Sequence, residues 1–422
     1  MNRAWLVLFI LWLSVPRVAR AQGGSPLGSE FRINTYTTGA QSRPAVAADP
    51  AGQFVVVWDS AGQDGSSLGV FGQRFASSGA PLGPEFRVNT STTDLQESPS
   101  VAADSAGNFV VAWTSSGGYG GAPADVFGQR HAGDGTPLGP EFRINAFTTN
   151  GQNDPRVAAG SAGNFVVVWN SAGQDGSYLG VFGQRFASSG VPLGPEFRVN
   201  TYTTDNQYTP SVAADSAGNF VVAWTNSGGY GGLADVFGQR FASDGTPLGP
   251  EFRINTFTTN VQNRTAIAAD AAGNFVVVWN SAGQDGSSLG VFGQRFASSG
   301  VPLGPEFRVN TYTTDLQYAP SVAADSAGNF VVAWTSSGGY GGIPGDTFGQ
   351  RYASDGTPLG PEFPVNTFTT SAQNRPAVAA DPAAGNFVVT WDSYGQDGSG
   401  TGVFGQRYGR IVPVELMHFK VQ

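Results

Sequence analysis

Cysteine is missing altogether from the 422 residues. Its absence excludes disulfides, thiolate metal ligands and thiol nucleophiles together. Histidine is nearly missing too. Of the two, His131 stands where six equivalent positions carry Phe or Tyr, which reads as a packing variant, and His418 lies near the C-terminus. No Ser-His-Asp set or His-based metal site can be assembled from these. Lys420 is the single lysine, no basic run occurs, and 22 basic against 31 acidic residues leave a net charge of −9. That balance argues against nucleic acid and anionic membranes as partners. Long apolar runs are also lacking. The longest, Ala4 to Val15, falls short of the roughly 20 residues a spanning helix needs. It follows Met1-Asn2-Arg3 and precedes Ala19-Arg20-Ala21, the pattern of a signal peptide over residues 1–21. The predicted mature chain is therefore secreted or held in the cell envelope, free of the membrane once cleaved. Losing Arg3, Arg17 and Arg20 leaves 19 basic residues against 31 acidic ones, a net charge of about −12.

What is present is repetition. A tryptophan ends the same apolar run at Trp58, Trp113, Trp169, Trp224, Trp279, Trp334 and Trp391, spaced 55 to 57 residues apart. Each unit reads as four strands. In the second unit these are Ser100–Ala103, Phe109–Thr114, Val126–Ala132 and Glu141–Asn145, separated by Gly-, Asn- and Asp-rich turns. No segment carries a 3.6-residue period. The Phe109–Thr114 strand is apolar on both faces, as in sheets stacked against neighbours on either side. The first strand, built of Ala and Val, fits the crowding near a central axis, where larger side chains are not expected.

The predicted fold is all-β: a seven-bladed β-propeller of four-stranded antiparallel blades over residues 22–408, followed by a short tail, 409–422. The phase of the repeat carries this prediction. The mature chain opens on an isolated fourth strand, Glu30-Phe31-Arg32-Ile33-Asn34, and its last unit stops after the third, Val403 to Tyr408. The N-terminal strand is thus expected to complete the last blade and remove the open edges. An open β-solenoid is the alternative. Units one, three, five and seven carry GQDGS after the tryptophan, and units two, four and six carry GGYGG, as in a duplicated pair.

The string GQDGS-x-x-GVFGQRF resembles a tandem repeat of exported bacterial proteins that have no common activity to transfer. The turn Asp-x-x-Gly-Asn is loosely similar to the Asp-box of sialidases, but the Ser-x-Asp-x-Gly-x-Thr-Trp order is absent and no residues carry over. Trp-Asp repeat propellers differ, since Trp58-Asp59 and Trp391-Asp392 are two of seven. The segment Val412 to Leu416 looks like one that precedes a sorting domain in some exported proteins.

Repeated polar residues read as structural. Asp49, Asp104, Asp215, Asp270, Asp325 and Asp381 start turns. Asp64, Asp175, Asp285 and Asp397 supply one carboxylate per QDGS loop, against the six to eight oxygens calcium prefers. Arg74, Arg130, Arg185, Arg240, Arg295, Arg351 and Arg407 match Glu30, Glu85, Glu141, Glu196, Glu251, Glu306 and Glu362 in number, suggesting ion pairs or backbone bonds between blades. Variation lies after a constant glutamine that precedes each first strand, in Gln41-Ser42-Arg43, Gln96-Glu97-Ser98, Gln152-Asn153-Asp154, Gln207-Tyr208-Thr209, Gln262-Asn263-Arg264, Gln317-Tyr318-Ala319 and Gln373-Asn374-Arg375. These positions are expected to rim the central channel. Arg43, Glu97, Asp154, Tyr208, Arg264, Tyr318 and Arg375 are its candidate ligand-binding residues, with tyrosines suited to sugar faces and arginines to carboxylates. Drift at exposed loops is the competing explanation. No catalytic residue, metal or cofactor is expected. The expected role is a non-enzymatic, monomeric binding scaffold whose partner is carbohydrate or another extracellular protein. The alternative is a carbohydrate-active hydrolase or lyase using rim acids such as Glu97 and Asp154.

Overall fold

The computed structural model describes residues 24–411 except 66, 94, 118–122, 229–232 and 338–344. The predicted signal peptide, most of the C-terminal tail and the GGYGG loops lie outside the described residues. Among these, 28 strands and no helix occur. They form repeated blades of four antiparallel strands. In unit one these are an inner strand Gln41–Ala48, a second Phe54–Ala61, a third Leu68–Phe75 and an outer Phe86–Arg87.

The second strand is buried on both faces, as its composition requires. Phe54, Val56 and Trp58 pack with Ala379, Val388 and Val403 of unit seven. Val55 and Val57 pack with Val101, Val111 and Trp113 of unit two. Each tryptophan is therefore sealed between two blades, and all seven are fully buried. Trp224 lacks even a partner for its indole N–H, so packing alone holds it. Trp224→Ala is expected to lower unfolding free energy by roughly 3–5 kcal/mol, read from the denaturant midpoint. An unchanged midpoint would contradict burial between blades.

The outer strands are shorter than predicted, two paired residues each. Their phenylalanine crosses the third-strand glycine so closely that a Cβ on Gly72 would lie 2.8 Å from Phe86. This explains the glycine in every VFGQR or TFGQR segment. At the end of that strand an aromatic ring stacks on the second strand's Phe, 4.9 Å apart for Phe54 and Phe75. His131 takes this place in unit two, stacking on Phe109 at 4.8 Å with Nδ1 3.1 Å from the Gly135 carbonyl. Burial pushes its pKa down, so it is a neutral packing ring.

The repeated ions tie blades through backbone and hydroxyl groups rather than to each other. Arg240 donates to the Ser298 carbonyl of the next unit at 2.7 Å, and to Leu248. Glu251 accepts from the Thr201 N–H at 2.7 Å and its hydroxyl at 2.9 Å. Equivalent bonds bring the chain ends together. Glu30 accepts from the Thr367 N–H at 2.6 Å, and Phe31–Arg32 pairs antiparallel with the last unit's third strand, Thr401–Tyr408. Inner strands pack on one another in succession, the seventh, Gln373–Ala380, also against the first. No hydrogen-bonded barrel results. Three single parallel pairs, Leu68 with Leu95, Leu179 with Asn206 and Leu289 with Leu316, join each of the first three odd units to the next even one.

Candidate functional site

The seven inner strands surround a central cavity of about 550 Å³ to which every unit contributes. Each begins at the constant glutamine or one residue before it, so the variable residues lie inside the strand, not before it as expected from sequence. A bulge accounts for the difference. Register shifts between Ser42 and Ala45, and at the same place in every unit. The extra residue takes a left-handed conformation: Arg43, Ser98, Asp154, Thr209, Arg264, Ala319 and Arg375 all have φ between 49° and 55°. Such a conformation costs non-glycine residues about 1–2 kcal/mol, and bulges re-aim side chains. Here the left-handed residue faces the cavity, so Arg43, Asp154, Arg264 and Arg375 line it.

The residue before the bulge turns elsewhere. Glu97, Tyr208 and Tyr318 are not among the lining residues. Tyr318 donates to Asn374 Oδ1 of the next unit at 3.0 Å. Both tyrosines are half-buried, and burial raises their pKa while nearby Arg264 opposes it. They are not the open stacking platforms expected. The constant glutamine is structural: Gln262 accepts from the Trp279 indole at 3.1 Å, and Gln41 from Asn34 at 3.2 Å. The QDGS carboxylates are engaged too, as Asp285 receives Asn310 Nδ2 at 3.1 Å and the Ser287 N–H at 3.0 Å. Among the described residues no three metal-ligating side chains converge.

Two features of the site go beyond the sequence-based expectation. The first is Arg156 on the wall of the cavity, where only small side chains are expected. The second is an acid cluster. The residue after each tryptophan is Asp59, Thr114, Asn170, Thr225, Asn280, Thr335 and Asp392. The two aspartates fall in units one and seven, which are neighbours. Asp59 lies 3.0 Å from Arg43 Nη1, and Glu97 of unit two reaches the same nitrogen at 2.5 Å. Asp392 lies 3.1 Å from Arg375. Both aspartates are buried, and the Oδ1 of each has no hydrogen-bond partner.

Burial outweighs the single guanidinium contact that each aspartate makes. It pushes the Asp59 carboxyl up to about 8, helped by repulsion from Glu97 and Asp392 against the pull of Arg43. Asp392 is pushed up to about 7, with Arg375 opposing. Burial works against the Arg43 charge, but Asp59 and Glu97 more than offset it and raise its pKa. At neutral pH Asp59 is thus an uncharged acid beside a guanidinium held chiefly by Glu97. The consequence for stability has a definite sign. Unfolded, these aspartates ionise near 3.8. Their neutral folded forms stabilise the protein below that pH, and the contribution is lost as pH rises through about 7 to 8. The melting temperature of the Asp59→Asn variant, which carries the asparagine of units three and five, is expected to exceed the parent's above about pH 8. An equal deficit at all pH values would contradict a raised carboxyl.

No family model and no curated protein matches the chain. Solved structures match it in fold. A protein of unknown function from Dyadobacter fermentans aligns with TM-score 0.51 and 11% identity over 92% of this chain and 99% of that one. An α-L-arabinanase from Penicillium chrysogenum, complexed with arabinobiose, aligns with TM-score 0.50 and 14% identity over 75% and 93%. A mutant α-L-arabinofuranosidase from Fusarium graminearum, bound to an iminosugar inhibitor, aligns with TM-score 0.51 and 10% identity over 74% and 93%. At these identities the likeness defines the β-propeller fold and nothing finer. Against the expectation of a non-enzymatic scaffold stands one finding: the two of these structures whose activity is named are glycosidases. Beside the cavity-lining Arg43 and Arg375, Asp59, Glu97 and Asp392 form one asymmetric set of acids, unlike the repeated carboxylates.

Proposed function

We propose that the chain is an exported carbohydrate-active hydrolase, a seven-bladed propeller closed by its N-terminal strand and working at the channel mouth where units seven, one and two meet. The observation that carries this reading is the pairing of Asp59, protonated at neutral pH, with Glu97 across Arg43. Glycosidases need one carboxylic acid to protonate the leaving oxygen and one carboxylate opposite it. Asp59 takes the first role and Glu97 the second.

Both carboxylates contact one nitrogen, so their contacting oxygens are no farther apart than the two contacts laid end to end, 3.0 and 2.5 Å. Retaining enzymes space their carboxyls about 5–5.5 Å apart, and inverting ones roughly 6.5–9.5 Å. Glu97 therefore suits a nucleophile that forms a glycosyl ester, which water then hydrolyses with Asp59 acting as base. Arg43 covers Asp59 in the resting state, and a bound sugar displaces it toward Glu97. The test is release of reducing ends from a panel of neutral and acidic polysaccharides. Cleavage of at least one polymer, with the anomeric configuration of the product retained, is expected. Failure to cleave any polymer, or inversion, would overturn the assignment.

A further inference from the structure

The acid cluster lies behind Arg43 and Arg375 of the cavity lining, and two further arginines line the bore away from it, together with Asp154. Arg156 sits on the inner strand of unit three, where the other six units carry Ala45, Ser100, Ser211, Ala266, Ser321 and Ala377. Only in this unit does a long cationic side chain enter the bore from that position. Its Nη1 donates to the Pro155 carbonyl at 2.8 Å, and its surroundings lower its pKa through burial, against the pull of Asp154. Arginine stays charged there regardless. Arg264, two units on, lines the same cavity and is exposed to it. Among the described residues, neither guanidinium has a carboxylate within ion-pair distance. Arg43 and Arg375 do have one, so the contrast is between two paired and two unpaired cations in one bore.

An unpaired arginine inside a protein of net charge −9 is costly unless something completes it. The remaining N–H donors of a planar guanidinium fit a carboxylate or a sulfate ester in two-point contact. Tyr208 and Tyr318 lie close enough for the Arg264 charge to act on both, but neither lines the cavity, so the guanidinium itself is the recognising group. We infer that units three to six form an anion-recognising subsite for a sugar chain bearing singly charged carboxylate or sulfate groups, held by Arg156 and Arg264. Cleavage of the bound chain rests on the hydrolase reading, whereas binding stands without it. Attraction to the two bore arginines is expected to place the chain across the cavity and to weaken with salt.

The test is calorimetric binding of oligogalacturonate, its fully methyl-esterified form and a sulfated galactan oligosaccharide to the full chain. At least one charged probe is expected to bind ten-fold or more tighter than the methyl ester, with the carboxylate and sulfate arms identifying the group preferred. Arg156→Ser, which installs the residue of units two, four and six, and Arg264→Ser are each expected to lose five-fold or more of that binding. Neither should lower the melting temperature. Equal affinity for charged and esterified probes, no binding of any probe, or full affinity in both variants would overturn the inference. Two outcomes separate the two claims. Tight binding of a charged glycan without cleavage by the parent sinks the hydrolase reading alone. Cleavage of a neutral polymer that Arg156→Ser leaves untouched sinks the anionic subsite alone.

Discussion

Asp59→Asn is expected to reduce depolymerisation at least about 100-fold, the lower end of what a positioned general acid contributes, while the chain stays folded. The substitution is nearly isosteric and reproduces Asn170 and Asn280 of units three and five, so loss of the proton is its main effect. Parent activity should also fall as pH rises through about 8, where Asp59 loses its proton. Measured as reducing ends against pH, that falling limb should disappear into the residual rate of the variant. Retention of most activity by Asp59→Asn would assign the acid elsewhere. Together with the stability gain expected above about pH 8, the variant should trade activity for stability, which is how a strained functional group behaves.

Removal of residues 22–36 is expected to have the largest structural effect. The segment supplies the outer strand of unit seven and Ile33, which is buried with Phe54, Trp58 and Phe75 of unit one. It also carries Glu30, which accepts from Thr367 and Gln396, and Asn34, whose Oδ1 takes the Val403 N–H at 2.7 Å. A buried isoleucine contributes roughly 1.5–3 kcal/mol and each hydrogen bond about 1 kcal/mol. Their sum is a large share of the roughly 5–15 kcal/mol by which domains are stable. The truncated chain should melt far below the parent, and it should self-associate through the bared edge of Thr401–Tyr408. A monomer with an unchanged melting temperature would show that the units do not depend on closure.

Much of this fold is legible in the sequence because its determinants are local and repeated. Seven tryptophans, the Gly-Asn turns and the offset of Glu30–Asn34 each sit within a few residues of what they specify. The third-strand arginines and outer-strand glutamates are legible as ties between blades, though the choice of backbone and threonine partners over ion pairs is not. The bulge is not legible. Arg, Ser, Asp, Thr and Ala occupy its left-handed position, and none of these announces positive φ as glycine does. Without the bulge, the variable residues fall outside the strand and Tyr208 and Tyr318 land on an open rim.

The acid cluster is in plain view in the sequence and still hard to recognise. Asp59 and Asp392 look there like marks of another repeat family, because 333 residues of sequence separate them. They meet only when unit seven packs on unit one. Repetition favours a structural explanation for every carboxylate, and Asp59, one of the two that break the repeat, is the acid of the proposed chemistry. Arg156 escapes notice for the same reason, one large residue in a position that is otherwise alanine or serine.

The proposed chemistry turns on the protonation of Asp59, and that can be observed without knowing the substrate. Carboxyl carbon resonances of the chain labelled at aspartate, recorded from about pH 4 to 9 for the parent and Asp59→Asn, isolate the signal that the variant lacks. This carboxyl is predicted to remain protonated at pH 7 and to titrate with a midpoint near 8. A midpoint in the ordinary aspartate range near 3.8 would contradict it, leaving Asp59 a plain ion-pair partner of Arg43 and the channel mouth without its acid.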